Sequence, residues 1–402
     1  MENLFKNRLL NFSSLHADVE TIRIFSRIDM SLYRGMITGM LLALALFLGS
    51  AEIRAQGDDS VIVMYERIYA TAMKNLDSGT VEQRVMAAYI LGSQRVVRYT
   101  RPMADALIRD MNNPDYLKLP HNNPFVKAQI AWALGNIGRR EAVPDLLVAL
   151  DSTLKLIEAD LKKTGELRAK IGSSPFPVVL DRTEPGPALL KKGNELPYSP
   201  SVYWSVADDL KKITVDPNDE GHRVLLEGYN YINQAMAIIE AIGRIGENYV
   251  KHSNESIPDE GAAALLKQSA DALIPILSHR IPHIRIAAAE ALGNIGTAEA
   301  IVALEKAFAE EKDNLVRPMI CRSVLYNDRS KFAYLQEMIR LLSDHDREVR
   351  IETIRTIRDL GLSESAEYLK RALVVEEDPV LKKLIQEAIH SAEYNAILPV
   401  GY

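Results

Sequence analysis

The hexapeptide Ala-Leu-Gly-Asn-Ile-Gly stands at Ala291–Gly296 and recurs unchanged at Ala133–Gly138. It returns as Ala-Ile-Gly-Arg-Ile-Gly at Ala241–Gly246, and in weaker form at Ile90–Gln94 and Ile357–Gly361. A motif reissued along 402 residues confines the fold to architectures that grow by adding a unit, each unit packing chiefly on its neighbours. The motif closes an apolar stripe. Val126, Ile130, Ala133, Leu134 and Ile137 fall at i, i+4, i+7, i+8 and i+11, and Ile284, Ala288, Ala291, Leu292 and Ile295 repeat the spacing, which is one face of an α-helix. From Ile284 to Val316 to Val349 the steps are 32 and 33 residues.

Each unit reads as two helices. Alanine in the middle of the first lets it approach its neighbours closely, and the glycine after the leucine predicts a helix end that tolerates positive φ. The second helix carries a proline in its first turn, at Pro102, Pro144 and Pro275, where the missing N–H costs nothing. Repeat one is predicted as helices over Val81–Leu91 and Pro102–Met111, and repeat two as Phe125–Leu134 with a second helix from Ala142. Repeat four spans Pro282–Phe308. Repeat five, Leu315–Leu342, has Tyr326-Asn-Asp328 in place of the glycine turn; repeat six is Val349–Val375, and a last helix runs over Pro379–Ala392. An amphipathic stretch, Val61–Leu76, is placed to cover the open end. The expected layout is a capping helix in 56–80, repeats one and two in 81–164, an insertion in 165–228, repeats three to six in 229–375, and a closing helix with tail in 376–402.

The pattern I/V-R/K-x-x-A/I-x-x-A-L-G-x-I-G, followed by a helix beginning A-V-P-x-L or A-I-x-x-L, resembles the HEAT-repeat family in its short, phycobilisome-lyase-like form. The resemblance covers Val81–Val375 with one interruption and is best in Phe125–Leu150 and Pro282–Phe308. It implies an all-α fold, an α-solenoid of about six antiparallel helix pairs. It also implies a protein-binding scaffold, since such proteins are mostly that, with a minority of enzymes that attach or modify a pigment.

The beginning of the chain reads as a targeting segment. Met36–Leu48 is almost wholly apolar, Arg34 precedes it and Gly49, Ser50 and Ala51 follow, the order of a secretory signal peptide over residues 30–55. The apolar run is short of the ~20 residues that span a bilayer, so the mature chain is expected to have no membrane span and to be exported, most simply to a periplasm. Cleavage after Ala51 and after Ala55 both fit. Residues 1–29 are too long for an ordinary charged start, whereas Met30-Ser-Leu-Tyr-Arg34 suits one; initiation at Met30 is one reading and an uncleaved signal anchor the other. The single cysteine, Cys321, cannot form an internal disulfide and reads as a buried small residue. The formal charge of −6 argues against nucleic acid as the partner.

Between repeats two and three, seven prolines between Pro175 and Pro217 forbid continuous helix, and Tyr198, Tyr203 and Trp204 stand out in a chain that is 6% aromatic. Those three are the candidate partner-binding residues, aromatic anchors being enriched at interface hot spots; the competing reading docks the insertion onto the repeats. A smaller polar insertion occupies His252–Glu260. A basic residue follows the first apolar position at Arg84, Lys127, Arg285, Arg317 and Arg350, with Ala235 the exception, and serves either an acidic partner or cross-links between repeats. His279 and His283 share a metal-ligand spacing but lie about Pro282 without a nearby cysteine or carboxylate cluster, so no metal is expected. Asp344-His345-Asp346 reads as an N-cap turn. No nucleotide loop, zinc-protease or nucleophile-elbow motif is present, and neither catalytic residues nor a cofactor are expected. The expectation is a non-enzymatic scaffold or assembly factor for a protein of the cell envelope; a lyase-like enzyme and a nucleic-acid-binding repeat protein are the alternatives.

Overall fold

A computed structural model describes residues 59–110, 122–171, 220–252 and 260–397. The chain divides into two units, one of Met1–Ile68 with Ala188–Glu195 and the other of the remainder. Of the first, the described part is Asp59–Ile68, the opening turns of one helix.

The described residues form fourteen α-helices and no strand. They are α1 (Asp59–Ser78), α2 (Val81–Ser93), α3 (Thr100–Ile108), α4 (Pro124–Ile137), α5 (Val143–Ile171), α6 (Glu220–His252) and α7 (Glu260–Leu273), then α8 (Pro282–Ile295), α9 (Ala298–Glu310), α10 (Arg317–Asn327), α11 (Phe332–Leu341), α12 (Arg347–Leu360), α13 (Ala366–Val375) and α14 (Pro379–Ile397). In the second unit α2, α4, α6, α8, α10, α12 and α14 pack each on the next, forming one layer, and α3, α5, α7, α9, α11 and α13 each pack against one or more helices of it. Six helix pairs result. Although residues 172–219 intervene in sequence, α6 packs directly on α4, so the stack is continuous across them. At the start, Ala72 and Leu76 of α1 are buried and Tyr69 and Met73 pack on the core; at the end, Leu381, Ile385, Ala388 and Ala392 of α14 are buried.

The repeated motif works differently at its two glycines. The glycine after the leucine stays helical and is the point of closest approach between repeats. A Cβ on Gly92 would lie 2.5 Å from the Cα of Ala133, on Gly135 2.8 Å from that of Ala241, and on Gly243 2.7 Å from that of Ala291. Glycine in one repeat thus faces alanine in the next, and the layer is spaced by those pairs. The left-handed cap comes three residues later, at Gly138 and Gly296 with φ of 74° and 63°, where each N–H returns to Leu134 or Leu292. The expectation that the first glycine ends the helix is therefore corrected. At Gly246 neither glycine ends it: α6 runs on to His252.

Other expected boundaries shift. Pro275 does not open a second helix; it lies in a 3-10 turn, Ile274–Ser278, that ends α7, and α7 itself begins at Glu260 without a proline. Helix α3 stops at Ile108 rather than Met111, and Asp110 takes φ of 56°. The irregular segment expected from Gly165 to Gly228 is helical at both ends, because α5 continues to Ile171 and α6 begins at Glu220. The targeting segment, the core of the small insertion (253–259) and residues 172–219 lie outside the described residues. No described helix is long and apolar enough to cross a membrane.

Candidate functional site

The basic ladder is spent inside the molecule. Arg84 Nη1 donates to the Leu76 carbonyl at 2.5 Å, and Lys127 Nζ to those of Ala106 and Leu107 at 2.7 Å each. Arg285 Nη1 reaches the carbonyl of His279 at 2.9 Å, Arg317 Nη1 that of Glu311 at 2.8 Å, and Arg350 Nη1 that of Asp344 at 2.9 Å. Every one of these carbonyls lies at or just beyond the end of the helix that precedes its repeat, where the last carbonyls have no partner within the helix. The three arginines also donate through Nε to Glu311, Glu337 and Glu376, which lie on or just after α9, α11 and α13. Ala235 is the exception because α5 does not end opposite it; the Oγ1 of Thr153, in mid-helix, accepts from Gln234 Nε2 at 2.8 Å instead.

Of the residues singled out in the sequence, Tyr198, Tyr203 and Trp204 lie outside the described residues. His279 accepts the Ile281 N–H on Nδ1 at 3.1 Å, and its Nε2 is 3.8 Å from Glu158; His283 is buried. Among the described residues no group of His, Cys, Asp and Glu could hold a metal ion. Cys321 is fully buried, which pushes its thiol up and leaves it unreactive. Asp346 caps α12 through the Glu348 N–H.

A column of side chains lies on the first-helix layer, five residues beyond the ladder in each repeat. That column reads Tyr89, Trp132, Glu240, Glu290, Arg322 and Arg355, and the column four residues further on reads Ser93, Asn136, Arg244, Asn294, Tyr326 and Asp359. In the first two repeats Tyr89 and Trp132 stack with centroids 5.6 Å apart. In the next three the side chains surround a hollow of about 220 Å³. Glu290 and Asn294 come from α8, Glu240, Arg244 and Glu247 from α6, and Arg322 and Tyr326 from α10. Tyr326 Oη donates to Glu247 Oε1 at 3.0 Å, so repeats three and five meet across repeat four. Arg244 pairs with Glu240 and donates to Asn136 Oδ1 at 2.6 Å. Arg322 is held less closely, 3.9 Å from Glu290 and with its guanidinium carbon 5.9 Å from the Tyr326 ring centre.

A family profile for HEAT repeats matches residues 225–324, across the hollow, and one for the PBS lyase HEAT-like repeat matches 126–152. Both stretches are HEAT repeats. No curated protein matches it. Among solved structures, the complex of CpcE and CpcF of phycocyanin lyase from Nostoc sp. PCC7120 is similar over 81% of this chain and 94% of its own, at 17% identity and a TM-score of 0.41. An engineered protein is similar over 81% of this chain and 99% of its own, at 16% identity and a TM-score of 0.23.

The HEAT repeats around the hollow hold their carboxylates in unfavourable surroundings. Burial raises the proton affinity of Glu240 and Glu290; the neighbouring Arg244 and Arg322 oppose it only in part. Glu290 receives no hydrogen bond from any described residue, its nearest cation being Arg322. Glu352, on α12 of the sixth HEAT repeat, is 6% exposed and has neither a hydrogen bond nor an ion pair to its carboxylate among the described residues. Burial pushes it up to about 7, with Glu290 and Asp359 adding to the effect and Arg355 and Arg322 opposing it. These charged positions were missed because they are aperiodic in residue type. The signal that finds Glu240, Glu290 and Arg322 is positional, the fifth residue after each ladder position, and it does not find Glu352.

Proposed function

We propose that the chain is a protein-binding HEAT scaffold that engages its partner on the first-helix face and acts in the bacterial envelope. The observation that carries this reading is the hollow spanning repeats three to five, whose walls come from three consecutive units and include a carboxylate, Glu290, that accepts no hydrogen bond from the described residues. A surface continuous across stacked repeats suits an extended partner segment. The signal-like residues 30–55 support export, and Tyr198, Tyr203 and Trp204 supply a second contact in this proposal.

The lyase-like alternative is favoured by the repeat profile over residues 126–152. The size of the hollow favours the scaffold: about 220 Å³ admits one side-chain head and falls below the roughly 300–1,000 Å³ of sites that enclose a small molecule. The test is crosslinked recovery of the tagged chain from its own cell envelope, beside a version with residues 172–219 replaced by a short Gly-Ser linker. One envelope protein recovered by the full chain supports the scaffold, and its loss from the shortened chain assigns the aromatic cluster a share of the contact. Recovery of nothing specific, together with pigment or protein modification by the purified chain, would replace the scaffold with the lyase-like reading.

A further inference from the structure

We propose that the hollow of repeats three to five is a site for a guanidinium or alkylammonium group, presented by a basic side chain of an extended polypeptide. The proposal rests on the scaffold reading above and names the chemistry of the partner. Three observations select a cation.

The hollow contains three carboxylates against two guanidiniums, an excess of negative charge. Arg244 is committed to Glu240 and to the Asn136 side chain. Arg322 faces Glu290 at 3.9 Å without a hydrogen bond, and its guanidinium carbon is 5.9 Å from the Tyr326 ring centre.

Of the lining carboxylates, Glu240 is held by Arg244 and Glu247 by the Tyr326 hydroxyl, while Glu290 has only the Arg322 guanidinium at 3.9 Å. Glu290 accepts no hydrogen bond from the described residues, and Glu352, nine-tenths buried one repeat beyond Arg322, has no hydrogen bond or ion pair among them. The side chain of Glu290 is partly exposed and can receive an incoming N–H group, which adds a charge-assisted hydrogen bond where a carboxylate or phosphate would be repelled.

Size and surroundings fit a side-chain head. The volume of about 220 Å³ holds a planar guanidinium or an ammonium with its last methylenes. Tyr326, 42% exposed, lies against the Arg322 guanidinium and adds an aromatic side chain to the hollow's wall. Beyond the hollow the same column continues to Trp132 and Tyr89, half-buried and stacked, so a segment lying along the layer meets an aromatic surface two repeats from its basic residue. The chain is acidic as a whole, at −6, which complements a basic segment.

The test uses the full folded chain and fluorescein-labelled nonapeptides of randomised flanks with a fixed central Arg, Lys, Gln or Glu, read by anisotropy at low salt. The expected result is at least a tenfold tighter dissociation constant for Arg- or Lys-centred than for Gln-centred peptides. That preference should fall at least fivefold in Glu290→Gln and again in Glu290→Gln/Glu352→Gln, and be unchanged in Glu393→Gln, a carboxylate outside the hollow. These isosteric changes remove buried charge, and circular dichroism checks that each variant is folded. Equal binding of Arg- and Gln-centred peptides, or tighter binding of Glu-centred ones, would overturn the cation assignment. Spermidine or arginine amide competing as tightly as the Arg-centred peptide itself would overturn the polypeptide source. If the envelope partner is captured equally by the wild type and by the double variant, the scaffold stands and this inference falls; if neither captures a partner, the scaffold reading falls.

Discussion

Tyr326 Oη donates to Glu247 Oε1 at 3.0 Å although the two residues are 79 apart in sequence and belong to repeats separated by a whole unit. The bond closes one side of the hollow over α8. Tyr326→Phe removes the hydroxyl and leaves the ring. Because the pair is exposed, the loss in stability should be small, within ~1 kcal/mol, and urea unfolding checks it. A partner segment that fills the hollow should nevertheless bind several-fold more weakly, read by titration of the labelled peptides.

The glycine–alanine pairs set the spacing of the layer. Gly243→Ala would place a methyl 2.7 Å from the Cα and 2.8 Å from the Cβ of Ala291, backbone that cannot move aside without shifting a helix. The expected cost is ~1–3 kcal/mol, as for overpacking of a filled core, measured as a fall in the urea midpoint. Gly296→Ala tests the other glycine. At φ of 63° it should destabilise through backbone strain.

The stability of the chain should rise with pH through the buried Lys127. Its ammonium is completely buried on three carbonyls, and burial, with Arg109 and Arg84 nearby, lowers it from 10.5 to about 7. Between about 7 and 10.5 the unfolded chain therefore binds the proton that the folded chain has released, so the folded state gains stability as pH rises across that window. Lys127→Met should flatten this part of the profile, measured by urea unfolding at pH 7, 8.5 and 10. It should also lower stability at pH 7 to 8, by ~1–3 kcal/mol, if unsatisfied carbonyls outweigh the buried charge.

Glu352 should act in the opposite sense. Its carboxyl is raised from 4.5 to about 7, so between these values the unfolded chain has lost a proton that the folded chain keeps, and stability falls as pH rises through the window. Glu240 and Glu290 contribute in the same direction. Glu352→Gln keeps the shape and removes the titration. Above pH 7 it should be more stable than the wild type, on the order of 1–3 kcal/mol, and the difference should vanish near pH 4. A thermal or urea series over pH 4–8 checks both.

The paired-helix architecture was legible in the sequence because packing imposes it residue by residue: Ile284, Ala288 and Leu292 are buried as their spacing requires, and the final helix begins at Pro379 as read. The ladder was legible as a period, and its purpose follows once each helix end is located. Gly135 and Gly293 misled because glycine serves two needs, a left-handed cap and close approach, and local sequence does not separate them. Pro275 misled in the same way, since a proline fits the end of α7 through a 3-10 turn as readily as the start of another helix. The hollow was invisible for a different reason. Glu240, Glu290 and Arg322 occupy equivalent positions with opposite charges, so they show no pattern by type and meet only when repeats three, four and five stack.

The central claim, that the partner lies on the first-helix face, is tested most directly by site-specific photocrosslinking in living cells. A photoreactive residue is placed at Asn294, inside the hollow, and separately at Val302, which is 65% exposed on α9 in the other layer. The account predicts one discrete crosslinked species from Asn294 and none from Val302. A crosslinked species from Val302 with none from Asn294 would contradict it and move the binding surface to the second-helix layer.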